Sequence, residues 1–416
     1  MVCKAYNRVY LGCGSKPLPL GTLALEGEPT SVAIKDGLAL VCINTSKDYI
    51  DANGTLLVVD IATQTVQHSI PLGGQPDSTA ISPDGKYGVI AIENERNEDL
   101  NDGAMPQSTP GYLAIIDLVG KPKDYRLRKV DLVGLADLFP EDPEPEYVDI
   151  NTMNVAAVTL QENNHIVLVH LPTGDVINHF SSGFVDLVNV DTVEDGVIRL
   201  DGSLQSGPRE PDGLKWVSSF QFATADEGDY KGGTRGYTIF NVLGGVSYTA
   251  GNSMEHELIR HGHYPEGRSE NKGNEPENTT YGEFGSDRLL FVGSERGNAV
   301  LVYQLNFWNN EPDFLQLLPA GVKPEGMLTI PKRNLFVVAA EEDDESDGVR
   351  STITIFERGA TSFYPTVISA DDDLGRPIPW YALSGLASQD GEVFAVVDSF
   401  AKASRILKMA LAFSSP

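Results

Sequence analysis

A short phrase, usually an acid or its amide followed by proline, recurs along the chain just before an apolar run. It reads EPTS at Glu28, QPDS at Gln75, EPEY at Glu144, EPDG at Glu210, EPEN at Glu275 and KPEG at Lys323. The prolines Pro29, Pro76, Pro145, Pro211, Pro276 and Pro324 are therefore separated by 47, 69, 66, 65 and 48 residues. Periods of about 40–50 residues, lengthened by insertions, are the spacing of propeller blades.

Each phrase opens a series of alternating or apolar runs divided by turn residues: TSVAIKDGLALVCIN, then GTLLVVDIATQ, then TVQHSIPL. The next unit repeats the order with STAISPDGKYGVIAIEN and GYLAIIDL, and Ser-Pro-Asp-Gly at residues 82–85 has the chemistry of a turn between strands. Four short antiparallel strands per unit follow, with almost no helical periodicity. A seventh unit lacks the phrase but keeps the strands, in WYALSGLASQDGEVFAVVDSF and SRILKMAL. The expected fold is all-β: a β-propeller of seven four-stranded blades beginning near residues 28, 75, 144, 210, 275, 323 and 380, in one domain over 1–416. An N-terminal strand, VYLGCG or PLGTLAL, is expected to close the ring and so remove exposed edges. Six blades, or a last unit belonging to a second domain, stay open.

Charge narrows the partners. The 59 acids outnumber the 31 bases, for a formal charge of −28, which disfavours nucleic acid and anionic membrane surfaces and favours cations. A hydrophobic content of 41% supports a packed core, and no apolar run approaches the roughly 18 residues of a membrane span. The first residues contain no apolar signal segment, although a trimmed exported protein reads the same way. Cys3, Cys13 and Cys42 cannot build a disulfide framework; Cys3 and Cys13 can pair or stay as thiols.

In a propeller blade the first strand lines the central channel, and the loop before it shares a face with the loop after the second strand. Both positions are acidic here. After the proline come Asp77, Glu146, Asp212, Glu277 and Glu325; after the second strand come Glu93 and Glu95, Glu162, Asp226 and Glu227, Glu295, Glu341 and Glu342, and Asp398. Two acidic rings at one mouth repel internally unless cations neutralise them, and oxygen-only donors suit Ca²⁺, then Mg²⁺. The expected metal ligands are Asp77, Glu93, Glu146, Glu162, Asp212, Asp226, Glu227, Glu295 and Glu341. Scarce bases fall near the same loops: Arg209, Lys231, Arg235, Arg268, Lys272, Arg296, Lys323 and Arg350. They can hold an anionic group or simply pair with the surplus acids. His256, His261 and His263 lack zinc-type spacing and read as surface or hydrogen-bonded residues. Serine-hydrolase, P-loop and dinucleotide motifs are missing.

Several longer phrases, AIENERNEDLNDG, PEDPEPEYVDIN, VTLQENNHIVLV, REPDG, ATADEGDYKGGTRGYTIF, HYPEGRSENKGNEPEN and GVKPEGMLTIP, resemble the extracellular β-propellers called choice-of-anchor I domains, related to the mesenchyme-specific surface glycoproteins of biomineralising animals. The resemblance spans about residues 27 to 370. The closing segment ALSGLASQDGEVFAVVDSFAKASRIL is similar to the opening of the esterase-like domain of phytase. The resemblance implies export to an extracellular, periplasmic or cell-surface location, calcium dependence, and a phosphatase or phytase-like activity. It points to Glu146, Asp212, Glu277 and Glu325 with Asp226, Glu227 and Glu295. The chain departs from the pattern at Thr30, which replaces the acid, and at EPEN, which replaces EPEG; the nucleophile pattern of alkaline phosphatases is missing.

Two functions are thus expected. One is a calcium-dependent phosphoric ester hydrolase acting on a phosphorylated small molecule, with Glu277, Glu325, Arg268, Lys272 and Lys323 carrying catalysis around a metal-bound water. The other is a non-catalytic calcium-binding module that engages an extracellular surface, a mineral or a protein.

Overall fold

A computed structural model describes residues 8–11, 18–107, 109–306, 311–359, 367–398, 402 and 405–410. The runs that alternate or stay apolar form strands, and the strands form antiparallel meanders in chain order. Sheet I comprises Glu28–Lys35, Leu38–Asn44, Gly54–Asp60 and Thr65–Pro71; sheet II comprises Pro76–Ile81, Tyr87–Ile92, Tyr112–Asp117 and Arg126–Asp131. Sheet III comprises Pro145–Ile150, Val155–Leu160, His165–His170 and Asp175–Ser181; sheet IV comprises Leu214–Trp216, Gln221–Asp226, Gly236–Asn241 and Val246–Thr249. Sheet V comprises Thr279–Phe284, Asp287–Ser294, Ala299–Gln304 and Asp313–Pro319. Among the described residues, sheet VI has three strands, Pro324–Ile330, Leu335–Ala340 and Thr352–Glu357, as does sheet VII, with Leu383–Gln389, Glu392–Val397 and Ile406–Met409.

First strands of successive sheets lie side by side and are stitched together. The Ser31 hydroxyl accepts from Thr79 N (3.0 Å), Ser78 donates to Glu146 O (2.8 Å), Trp216 N donates to Asp149 (2.9 Å), Gly213 N donates to Glu277 O (3.1 Å), and Thr329 donates to Tyr281 O (2.9 Å). Those bonds run from sheet I to sheet VI. Apolar side chains fill the wedges between neighbours, as where Leu40, Leu56 and Val58 of sheet I meet Ile90, Ile92 and Ile116 of sheet II.

Insertions account for the long steps of the repeat. A two-stranded hairpin, Phe184–Val190 with Gly202–Pro208, separates sheets III and IV. Between sheets IV and V stands a nine-residue helix, Ser253–His261, where near-absence of helix was expected. It buries Met254, Leu258 and Ile259 on one side and ends at Gly262, whose φ of 74° suits glycine. Two turns flanked by charged residues are too short to give a legible period.

The segment leading into sheet VII rests on these insertions: Trp380 Nε1 donates to Arg260 O (2.9 Å), Tyr381 to Gly196 O (2.8 Å) and Arg376 to Leu200 O (2.7 Å). At the N-terminus, Arg8–Leu11 pairs with Leu18–Thr22; no strand pair among the described residues joins that hairpin to sheet VII. Cys42 is buried as a free thiol, whereas Cys3 and Cys13 lie outside the described residues. No helix among the described residues is long and apolar enough to cross a membrane.

The wedge between sheets III and IV depends on aromatic packing. Phe222 is fully buried, edge-on to Trp216 at 5.0 Å and stacked on Phe240 at 5.9 Å. Phe222→Ala is expected to destabilise the chain by about 3–5 kcal/mol, measured by denaturant unfolding.

Candidate metal centre

Bulges aim the acids. In sheets II, III and VI the register with the second strand slips between Pro76 and Thr79, between Pro145 and Val148, and between Pro324 and Gly326, so Asp77, Glu146 and Glu325 stand on the irregularity. A bulge turns a side chain away from the ladder. Backbone bonds then tie the exit of the second strand to the phrase before the first in sheets II, V and VI: Glu93 N to Gln75 O (3.0 Å), Glu295 N to Glu275 O (2.9 Å) and Glu341 N to Lys323 O (3.0 Å). Asparagine side chains hold the backbone of the phrase: Asn94 accepts from Gln75 N, Asn163 from Glu144 N, Asn164 from Glu210 N and Asn298 from Lys323 N, each at 2.8–3.0 Å. Glu210, Glu275 and Lys323, each followed by proline, are held at φ of 41°, 46° and 56°. Such left-handed non-glycine residues persist only where their surroundings fix them.

The rings divide into two kinds of carboxylate. One kind is neutralised within the chain. Arg96 bonds Glu162 (2.8 Å), Glu144 (3.4 Å) and Asp229; Lys272 bonds Asp229 (3.0 Å) and Glu227 (3.4 Å). Glu275 receives Arg268 (2.6 Å) and Arg296 (2.8 Å), Glu295 receives Arg296 (3.3 Å), and Lys323 pairs with Glu342 (2.8 Å) and Glu341 (4.0 Å).

The other kind has no such neighbour. Among the described residues, Glu93, Glu146, Asp212 and Glu277 form no ion pair. They cluster instead with one another. Carboxylate oxygens of Asp77, Glu93 and Glu146 lie within 4.8 Å of one another, as do those of Asp212, Glu227 and Glu277; a third group at the same spacing, Glu227, Glu275 and Glu295, consists of acids already paired with bases. Burial, then repulsion by Glu93 and Asp77, holds the Glu146 carboxyl far above the usual range; burial, then Glu227 and Asp212, does the same for Glu277. Beside them, Glu144 Oε1 and Glu162 Oε2 are buried without a hydrogen-bond partner. The donor set is all carboxylate oxygen, the composition that hard cations take and zinc avoids. Its residues fit Ca²⁺.

Of the expected ligands, Asp77, Glu93, Glu146, Asp212, Glu227 and Glu295 enter these groups, together with Glu277, which had been expected in catalysis. Asp226 does not. It is buried, accepts from Thr224 (2.7 Å), Thr238 (2.6 Å) and Thr234 (3.3 Å), and lies 3.8 Å from Arg209, so its oxygens are already satisfied. Burial pushes its carboxyl up to about 6, against the pull of Arg209 and the hydroxyls. Glu162 and Glu341 lie outside the triads too, Glu162 held by Arg96 and Glu341 exposed beside Lys323. Glu325 adjoins Asp212 and Glu277 electrostatically. Arg268, Lys272 and Lys323 all lie at the mouth, each bound to the chain's own acids. The three histidines bond backbone oxygens: His256 with Asn189, His261 with Glu257 and His263 with Gly297, at 2.7–2.9 Å.

Sequence reasoning missed Glu275 as a member of a triad, and missed Arg96 and Asp229. Glu275 was visible as the acid of its phrase; Arg96 follows the run Glu93–Glu95, and only the fold shows that it reaches sheets III and IV.

The comparisons agree with this architecture. The choice-of-anchor I domain pattern matches residues 6–232 and 230–307, so the chain belongs to that family and is an extracellular-type β-propeller domain. Among solved structures, a Lactobacillus plantarum protein is 14% identical with a TM-score of 0.54, covering 85% of this chain and 88% of its own. Hydrazine synthase of Kuenenia stuttgartiensis is 13% identical at 0.52, covering 85% and 90%. A Bacteroides fragilis protein provisionally assigned as a 6-phosphogluconolactonase is 13% identical at 0.51, covering 85% and 86%. At these identities the likeness is one of fold. No curated protein matches the sequence.

Protonation is the alternative to a cation. Burial pushes Glu162 up to about 7 despite Arg96, and Glu295 up to about 7 despite Arg296, above the ordinary glutamate value of about 4.3. A folded carboxyl raised in this way contributes stability that is present below about pH 4.3 and lost as pH rises through about 7. In chelator, the melting temperature is expected to fall by a few degrees between pH 5 and pH 8, and saturating calcium is expected to flatten that slope. A melting series at constant ionic strength checks both.

Proposed function

We propose that this domain is a calcium-binding module that works outside the cytoplasm, with the channel mouth as its binding site. The observation that carries the reading is the set of four acids, Glu93, Glu146, Asp212 and Glu277, packed with further carboxylates and without an ion pair among the described residues, while their neighbours are neutralised. One ion would be held by Asp77, Glu93 and Glu146, another by Asp212, Glu227 and Glu277. Calcium tolerates the irregular, oxygen-rich coordination that carboxylates on loops and bulges provide; magnesium, with its strict octahedron, is second.

Binding to an extracellular surface, mineral or protein suits a mouth whose Arg268, Arg296 and Lys323 are already paired with acids. A phosphoester hydrolase is favoured by one observation, the Lys272 ammonium 3.4 Å from Glu227 at the edge of a triad. There the bound ion would polarise a phosphoryl oxygen or activate water, and Lys272 would hold a further oxygen.

Thermal melting in calcium, magnesium and chelator tests the ions. Calcium at about 100 times its Kd should add about 2.7 kcal/mol of stability for each ion bound. Glu146→Gln with Glu277→Gln should melt no lower than wild type in chelator, because it removes two mutually repelling carboxyls, and should lose most of that gain. Phosphate release from a panel of esters including phytate, in wild type and in Glu277→Gln with Glu325→Gln, separates the two readings. Turnover that falls in the folded variant supports hydrolysis, and a calcium response without turnover supports the binding module.

A further inference from the structure

Residues 227–235, between the second and third strands of sheet IV, form a strap whose tip carries Asp229, Tyr230 and Lys231. Glu210 anchors both arms of the strap: its carboxylate accepts from Lys231 N (2.8 Å) and Gly232 N (3.3 Å) on the returning arm, and its backbone oxygen accepts from Gly228 N (3.1 Å) on the outgoing one. Gly228, Gly232 and Gly233 have φ of 80°, 99° and 51°, and a Cβ on Gly228 would stand 1.8 Å from Gly233 N, so only glycines let the two arms cross.

At the tip, Asp229 is shared between two cations from other parts of the ring. One oxygen accepts from Arg96, which follows the second strand of sheet II; the other accepts from Lys272 (3.0 Å), in the connection between sheets IV and V. Tyr230 packs edge-on against Phe139 (5.3 Å), with Lys231 4.0 Å over its ring. Arg96 is nearly buried, whereas Asp229 and Lys272 keep about a fifth to a quarter of their side chains exposed. An arginine and a lysine converging on one partly exposed carboxylate are arranged as they would be around a phosphate group. Lys272 also touches Glu227, a member of the second acidic triad.

We infer that Arg96 and Lys272 form a subsite for a phosphate oxyanion, that the chain's own Asp229 fills it, and that the strap closes the mouth until an external phosphate displaces that carboxylate. The inference rests on the cation reading, because calcium on the neighbouring triad would offset the negative field that otherwise repels an anion.

Inorganic phosphate, titrated calorimetrically into the full chain at calcium levels below precipitation, is the probe. Asp229→Asn keeps the shape and removes the competing charge, so it should bind phosphate about tenfold more tightly than wild type, the equivalent of one strong charge-assisted hydrogen bond. Adding Lys272→Gln should abolish the gain. Equal or weaker phosphate binding by folded Asp229→Asn would overturn the subsite. In wild type, phosphate should speed amide exchange at residues 228–233, and unchanged exchange at saturating phosphate would overturn the strap even if the variant proved unstable. The calcium melt separates this from the cation reading. A calcium response with no phosphate effect removes the subsite alone, whereas tighter phosphate binding by Asp229→Asn with no calcium response keeps the subsite and removes the ions. Calcium phosphate particles replace soluble phosphate in a final arm: retention that soluble phosphate cannot compete assigns the subsite to a mineral face, and retention that it competes assigns it to a free phosphate group.

Discussion

Mutual repulsion among carboxylates at one end of the channel is the constraint to which the rest of the mouth responds. From sheet II to sheet VI each unit brings an acid at or just before its first strand and another at the exit of its second, and the meander fixes both on one face. A buried carboxylate left without proton, base or metal is costly. The chain answers in three ways at neighbouring positions. Arg96, Lys272, Arg268, Arg296 and Lys323 neutralise one set. Three threonine hydroxyls and a nearby arginine solvate Asp226. Glu93, Glu146, Asp212 and Glu277 are answered by neither.

Equivalent positions therefore have different fates, and the difference is set by residues the repeat does not mark. Asp226 and Glu227 are consecutive, so their side chains point to opposite faces of the strand exit. Asp226 turns into the sheet and meets the hydroxyls of Thr224 and Thr238; Glu227 turns toward the channel and meets Gln161 (2.8 Å), Lys272 and a triad. Treating both as ligands ignored that alternation.

Much of the architecture was legible because strands and turns are written locally. The acid-proline phrase located the lead-in to the first strands of sheets I to VI, and in sheets II, III and VI a proline that ends a ladder next to a bulge also explains why the following acid leaves the sheet. Helix Ser253–His261 and the hairpin before sheet IV were hidden inside long steps, since neither repeats. The site was legible as a list of acids but not as a partition among them. Which acids keep their charge uncompensated depends on Arg96 reaching sheets III and IV, at sequence separations of 48 and 66 residues from its sheet III partners. No local pattern encodes such a reach.

The same partition bears on what the mouth can do. A hydrolase acting on phosphate needs cationic groups able to leave their resting partners as charge builds on the transferring group. Arg268 and Arg296 converge on Glu275, which is almost fully buried, so releasing either leaves a buried charge less compensated. Lys272 differs: one of its two partners, Asp229, rides on a glycine-flanked strap rather than on a strand. The cost of freeing a cation is therefore lower at Lys272 than at either arginine, and Lys272 also touches Glu227 of a triad able to hold a metal ion. Any anion chemistry this propeller performs would begin there, and the rest of the ring would serve to hold the ions and the sheets in place.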